Sequence, residues 1–219
     1  EKMRKSTYML LVGCIFAAVI VAGKAFGNHL AKRERPILES TALYPALTMQ
    51  ELKEKAHSIL YARVENVGDT YMYEAAASLT EDFEEAADTV GYPVTPITLK
   101  AIQVLKGAPE EGYFTYFEMG GITSDYIRKP DGYAMEEGME VILFLNEEGF
   151  GWGAQSIFPV FDGQVILTDR AVEELSAERM WDIETDSINA GVRSQLRSKS
   201  VKVMALKDFC RLVEDMPGE

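Results

Sequence analysis

Two cysteines and two histidines are all that the 219-residue chain has of the side chains that most often bind metals or attack substrates. Cys14 sits in an apolar N-terminal run and Cys210 in a helical pattern near the C-terminus, so no disulfide framework staples the domain. Cys210 reads as a small buried apolar residue rather than a nucleophile. His29 and His57 lie far apart and make no ordinary zinc site unless carboxylates supply the rest. Gly-x-Ser-x-Gly, Walker A, Gly-x-Gly-x-x-Gly, His-Glu-x-x-His and Cys-x-x-Cys are all missing. The chain also has no repeat of about 20–50 residues. No catalytic residue, metal ligand or cofactor is singled out.

Beyond the N-terminus, positive charge is scarce. Residues 1–35 carry seven Lys/Arg and two Glu, a net +5; the remainder carries 15 basic and 33 acidic residues, a net −18. Binding a phosphate backbone needs Lys and Arg to replace condensed counterions, so nucleic acid is excluded as a partner. The acids read as a solvated surface that keeps the domain soluble. Pairs such as Glu84-Glu85, Glu136-Glu137, Glu147-Glu148 and Glu173-Glu174 are sequence neighbours. Neighbours point to opposite faces of a strand and do not face each other on a helix, so adjacency makes no acid/base site.

What the chain does have begins with an address. Tyr8 to Gly23 is 16 residues without a charge, behind Arg4 and Lys5. It is slightly short for a spanning helix of about 20 residues and slightly long for a signal core of about 7–15. Signal peptide and retained anchor both fit. Leu11-Val12-Gly13-Cys14 also matches a lipobox, which makes Cys14 the candidate lipidation residue. Basic residues on both sides of the run leave the positive-inside bias nearly balanced. The expected location is the cell membrane with the domain extracytoplasmic, or secretion after cleavage, with membrane contact through residues 8–23.

Residues 28–55 read as a linker broken by Pro36 and Pro45, then a short helix. Thr48-Met49-Gln50-Glu51 is a capping box opening that helix, with Leu47 as its staple residue. Strand patterns follow at 59–67, 70–76, 97–105, 113–119, 139–145, 157–161 and 164–168. Gly68-Asp69 and Asp162-Gly163 each predict a hairpin, and Pro130-Asp131-Gly132 a turn. Ser78-Leu79-Thr80-Glu81 is a second capping box before an acidic stretch from Glu81 to Asp88. Pro159 predicts an edge or bulged strand, and Gly120-Gly121 a bulge or tight bend. Residues 170–180 read as a helix, 185–203 as a polar, locally basic loop or docked segment. Leu206, Phe209, Cys210 and Val213 form an amphipathic helix stripe.

Gly149-Phe150-Gly151-Trp152-Gly153 is the most distinctive local feature. Three glycines around two large rings make Phe150 and Trp152 the candidate binding residues, with Trp152 turned inward as a core cap the competing reading.

Ile59 to Val67, Ile102 to Gly107, Gly120-Gly121, Gly138 to Leu145 and Phe158 to Gly163 together resemble a group of exported or membrane-anchored Gram-positive bacterial proteins. Their domain is a small barrel similar to the OB-like tissue-inhibitor and netrin modules. The resemblance covers about residues 56–168 and implies a mainly β fold: a small OB-like Greek-key barrel with flanking N- and C-terminal helices and an N-terminal apolar helix. The expected organisation is a signal or anchor at 1–27, linker and short helix at 28–55, barrel at 56–169 and a C-terminal helical extension at 170–219. The disulfides of the eukaryotic modules are missing, which argues against protease inhibition. Two functions stay open. One is a non-enzymatic cell-surface module binding a protein, peptide or glycan. The other is a hydrolase of wall or peptide substrates using dispersed carboxylates.

Overall fold

A computed structural model of the chain describes residues 35–39, 44–75, 90–107, 112–188, 190–196 and 198–217. The apolar run, Cys14 and the acidic stretch behind the second capping box lie outside the described residues. In chain order the elements are strand β1 (Ile37–Leu38), helix α1 (Met49–Lys55), and strands β2 (Ser58–Val67), β3 (Tyr71–Ala75), β4 (Val90–Lys106) and β5 (Tyr113–Met119). Strands β6 (Gly121–Ile122), β7 (Ile127–Arg128), β8 (Glu140–Leu145), β9 (Ile157–Phe161) and β10 (Gln164–Ile166) come next. Helix α2 (Asp169–Glu174), strand β11 (Met180–Glu184), helix α3 (Ala190–Arg193), strand β12 (Ser200–Ala205) and helix α4 (Leu206–Asp215) complete the chain.

The described residues are mainly β, as expected. One nine-stranded antiparallel sheet runs β11-β12-β10-β9-β8-β2-β4, and both β3 and β5 pair with β4. A small sheet runs β1-β7-β6, with β1 parallel to β7. No closed barrel forms among the described residues. The place beside β9 is taken by β10, which passes the sheet on to β12 and β11 instead of letting it turn back to β5.

Strand β8 explains the core. Val141 to Leu145 are each 0% exposed, because alternate side chains leave opposite faces of the strand. Ile142 and Phe144 enter one cluster, together with Leu47, Leu52, Phe158, Phe209 and Val213, so α1 and α4 cover that face. Val141, Leu143 and Leu145 enter the other, with Leu60, Leu99, Tyr116 and Val203. The rings of Phe144, Phe158 and Phe209 stack in series at 5.6 and 5.0 Å. Each such buried side chain contributes about 2–3 kcal/mol of transfer free energy. The capping box forms as read: Glu51 N–H donates to Thr48 Oγ1 at 3.1 Å and Thr48 N–H to Glu51 Oε2 at 2.7 Å. Cys210 is 5% exposed and its thiol is pushed up to about 11 by burial, as a packing residue rather than a nucleophile.

Three expectations are corrected. Gly68-Asp69 is a kink, not a hairpin. Val67 pairs with Ile97 and Tyr71 with Val94, so β2 and β3 follow one another along β4, and Gly68 N–H bonds Pro96 O between them. Pro159 lies in an interior strand, opposite Val141 of β8; only Val160 and Phe161 pair with β10, so its missing N–H falls past the end of that ladder. The C-terminal part mixes strands with its helices. The helix expected at 170–180 stops at Glu174, Met180–Glu184 and Ser200–Ala205 are paired strands that complete the main sheet, and the amphipathic helix forms at Leu206–Asp215. The hairpin at Asp162-Gly163 forms as expected, both residues having positive φ.

Candidate functional site

The loop at 149–153 holds its rings inward. Asn146 Oδ1 accepts from the N–H groups of Glu148 and Phe150, and Gly149 O accepts from Phe117 N–H. Phe150 is half-buried against the rings of Tyr73 and Phe117, at 5.5 and 5.3 Å. Trp152 is half-buried against the helix-covered core, and its backbone N–H donates to the buried Ser156 Oγ at 2.7 Å. Each ring therefore keeps part of its surface exposed while packing against its neighbours.

Unusual chemistry gathers instead around residues 116–135. Strand β5 alternates, so Phe114, Tyr116 and Glu118 face inward. Glu118 therefore occupies a position that the pattern reserves for an apolar side chain. It is 6% exposed, and Met135 N–H donates to its Oε1 at 3.1 Å. Burial pushes its carboxyl up to about 7, and the Met135 bond pulls only partly against it. Gly120-Gly121 then bends the chain, as expected, with φ of 133° and 137°. A side chain at Gly120 would meet Pro130, and one at Gly121 would meet the hydroxyls of Thr70 and Thr95. Only glycine lets β6 and β7 fold back this closely.

The returning segment brings in Asp131. Tyr44 OH donates to Asp131 Oδ2 at 2.8 Å, while Oδ1 is buried without a partner. Burial raises the Asp131 carboxyl; the Tyr44 hydroxyl and the Arg128 charge offset this in part. The Tyr44 phenol is raised by burial first and then by Asp131. The fully enclosed Tyr116 phenol is likewise raised well above its ordinary value by burial, and further by Glu118.

Two clefts open on either side of Lys129-Pro130. The first, about 530 Å³, is lined by Tyr44, Asp131, Tyr133, Thr168, Asp169 and Gln195. Gln195 fixes its wall: the amide oxygen accepts from Ala134 N–H and the amide nitrogen donates to Ala134 O. The Tyr133 phenol is raised by burial and by the Asp169 charge. The second cleft, also about 530 Å³, is lined by Glu118, Thr70, Thr95, Ile122, Ile127 and Arg128. Glu118 and Asp131 thus open on different spaces. Among the described residues no group of His, Cys, Asp and Glu is placed to hold a metal ion.

No family model, curated protein or solved structure matches the chain. No described helix is long and apolar enough to cross a membrane.

Proposed function

We propose that the chain is a non-enzymatic binding module at the outer face of a membrane, and that its ligand is a sugar bound in the cleft of Tyr44, Asp131 and Tyr133. One observation carries this reading. Separate segments of the chain converge on a single concave space in which two phenol rings stand beside carboxyl, amide and hydroxyl groups. Pockets of roughly 300–1,000 Å³ with a few convergent polar groups are the usual form of a small-ligand site. Ring faces take the C–H faces of a sugar, and carboxylates accept from its hydroxyls.

The strand order is that of a Greek key. Strands β2, β4 and β5 lie side by side, and β8 returns beside β2, giving the order 4-1-2-3 of a Greek key. We read this as an OB-like sheet left open between β5 and β9. The address at residues 8–23 follows from the sequence pattern alone.

Calorimetric titration of the full chain with mono- and disaccharides tests the ligand. Binding that Asp131→Asn and Tyr133→Ala each weaken at least tenfold supports it. No heat from any sugar at millimolar concentration overturns it. The hydrolase reading draws on one feature, a carboxyl titrating near neutrality as a general acid does. It requires Glu118→Gln to abolish turnover of a glycan or peptide. That Glu118 and Asp131 open on separate clefts counts against a shared substrate.

A further inference from the structure

We propose that the second cleft, walled by Glu118, Thr70, Thr95 and Ile122, is a separate binding site for a primary alkylammonium group. Beside Glu118, the hydrogen-bond donors of Ile122, Thr70, Thr95 and Met135 are already spent. Ile122 N–H donates to Thr70 Oγ1 at 3.0 Å, and Thr70 and Thr95 hydroxyls share a bond of 2.9 Å. Thr95 Oγ1 donates onward to Gly120 O at 2.9 Å. Its proton is thereby used, so the shared proton is that of Thr70. Met135 N–H is taken by Glu118 Oε1. What the wall offers a ligand is lone pairs: two hydroxyl oxygens and a carboxylate. A group with three donors and no acceptor is the complement, and an ammonium is that group. A calcium ion, which takes about six to eight oxygens, finds too few.

The charges agree. The ionisable groups lining the cleft are Glu118, Asp69, Arg128 and Lys129. Behind Glu118 on β5 stands Tyr116, whose raised phenol stays neutral. Arg128 lies over the Tyr92 ring at 5.5 Å, and Lys129 pairs with Glu39 at 3.1 Å. Among the described residues no ion pair reaches Glu118, which leaves its buried carboxyl without a counter-charge. The rest of the wall is apolar, with Val67, Ile122 and Ile127, and suits a short alkyl chain. A bound ammonium restores the carboxylate, and the Glu118 proton leaves to solvent. This site shares no ligand group with the sugar cleft, and its test is independent of that reading.

The experiment titrates the full chain, in a mild non-ionic detergent, with n-butylammonium, n-butanol and butyrate from pH 5 to 9. Butylammonium affinity should rise roughly tenfold per pH unit below neutrality and level off above it. Saturation should lower the Glu118 carboxyl titration midpoint, read by carbon-13 shift, by a unit or more. Glu118→Gln should weaken butylammonium at least tenfold and remove the pH slope. Equal binding of butanol, preference for butyrate, or an unmoved Glu118 midpoint overturns the proposal. If Glu118→Gln does not fold, Ile122→Trp decides. Ile122 is 57% exposed at the mouth, so the ring blocks the cleft from a tolerant position; retained butylammonium binding in that variant overturns it.

Discussion

The glycine-rich loop at 149–153 and the segment from Tyr116 to Met135 make opposite use of their residues. The loop is conspicuous in sequence, and its rings are half-buried: Phe150 leans on Tyr73 and Phe117, and Trp152 on the core. The second segment holds ordinary residues made unusual by where they sit. Burial keeps Glu118 near neutrality and leaves one Asp131 oxygen without a partner. Glycines beside large rings can signal tight packing as readily as display. A carboxyl in a buried register position is the better pointer to chemistry.

The largest expected effect sits on the loop side of the comparison. Trp152→Ala should lower stability by about 3 kcal/mol, read as a urea midpoint shift, because it strips a large ring from the core edge. Sugar binding in the Asp131 cleft should be unchanged. A stable Trp152→Ala protein that loses ligand would return the function to the loop.

Glu118→Gln should have the next largest effect, through pH. The folded carboxyl titrates near 7 and the unfolded one near 4.5. Between those values the folded state holds the extra proton, so stability from this group is full below about 4.5 and is lost as pH rises through 7. The wild-type chain should lose about 2 kcal/mol more than Glu118→Gln between pH 4.5 and 8 in urea titrations. Parallel curves would show that Glu118 is not buried as described.

The sharpest separation comes from Tyr133→Ala. It should weaken sugar binding about tenfold, or roughly 1.4 kcal/mol. The loss of stability should be smaller than for Trp152, since Tyr133 lines a cleft. Equal stability losses would make the cleft a packing defect.

Much of the sheet was legible because period-two patterns are local. Tyr113–Met119 falls where alternation puts it, Glu140–Leu145 where a continuous apolar run marks a strand buried on both faces, and the Asp162-Gly163 hairpin where turn chemistry puts it. Strand β12 is hard to read from sequence although Val201, Val203 and Ala205 alternate, because Lys199, Ser200 and Lys202 give the segment a polar character. The Gly68 kink looks like a hairpin in sequence because a Gly-Asp pair signals reversal only when no long partner strand runs past it, and β4 runs 17 residues. The clefts were illegible for another reason. Tyr44, Asp131 and Gln195 meet only through the tertiary fold. The one available sign was Glu118 itself, at the third inward position of an alternating strand.

Tyr44→Phe should have the smallest effect and the clearest sign. The Tyr44 hydroxyl is the one hydrogen bond seen on Asp131 Oδ2, at 2.8 Å, and it opposes the burial that raises this carboxyl. Removing it should move the Asp131 midpoint further up in carbon-13 titrations. The hydrogen bond favours the charged form, so its contribution is present where Asp131 is ionised and fades as pH falls through the folded midpoint. The variant should therefore lose about 1 kcal/mol at pH 8 and less at pH 4, with the ring's packing retained. If the loss is equal at both pH values and the midpoint does not move, Tyr44 serves the cleft only as a wall. The contrast between an inward-packed loop and a chemically tuned cleft would then rest on Glu118 alone.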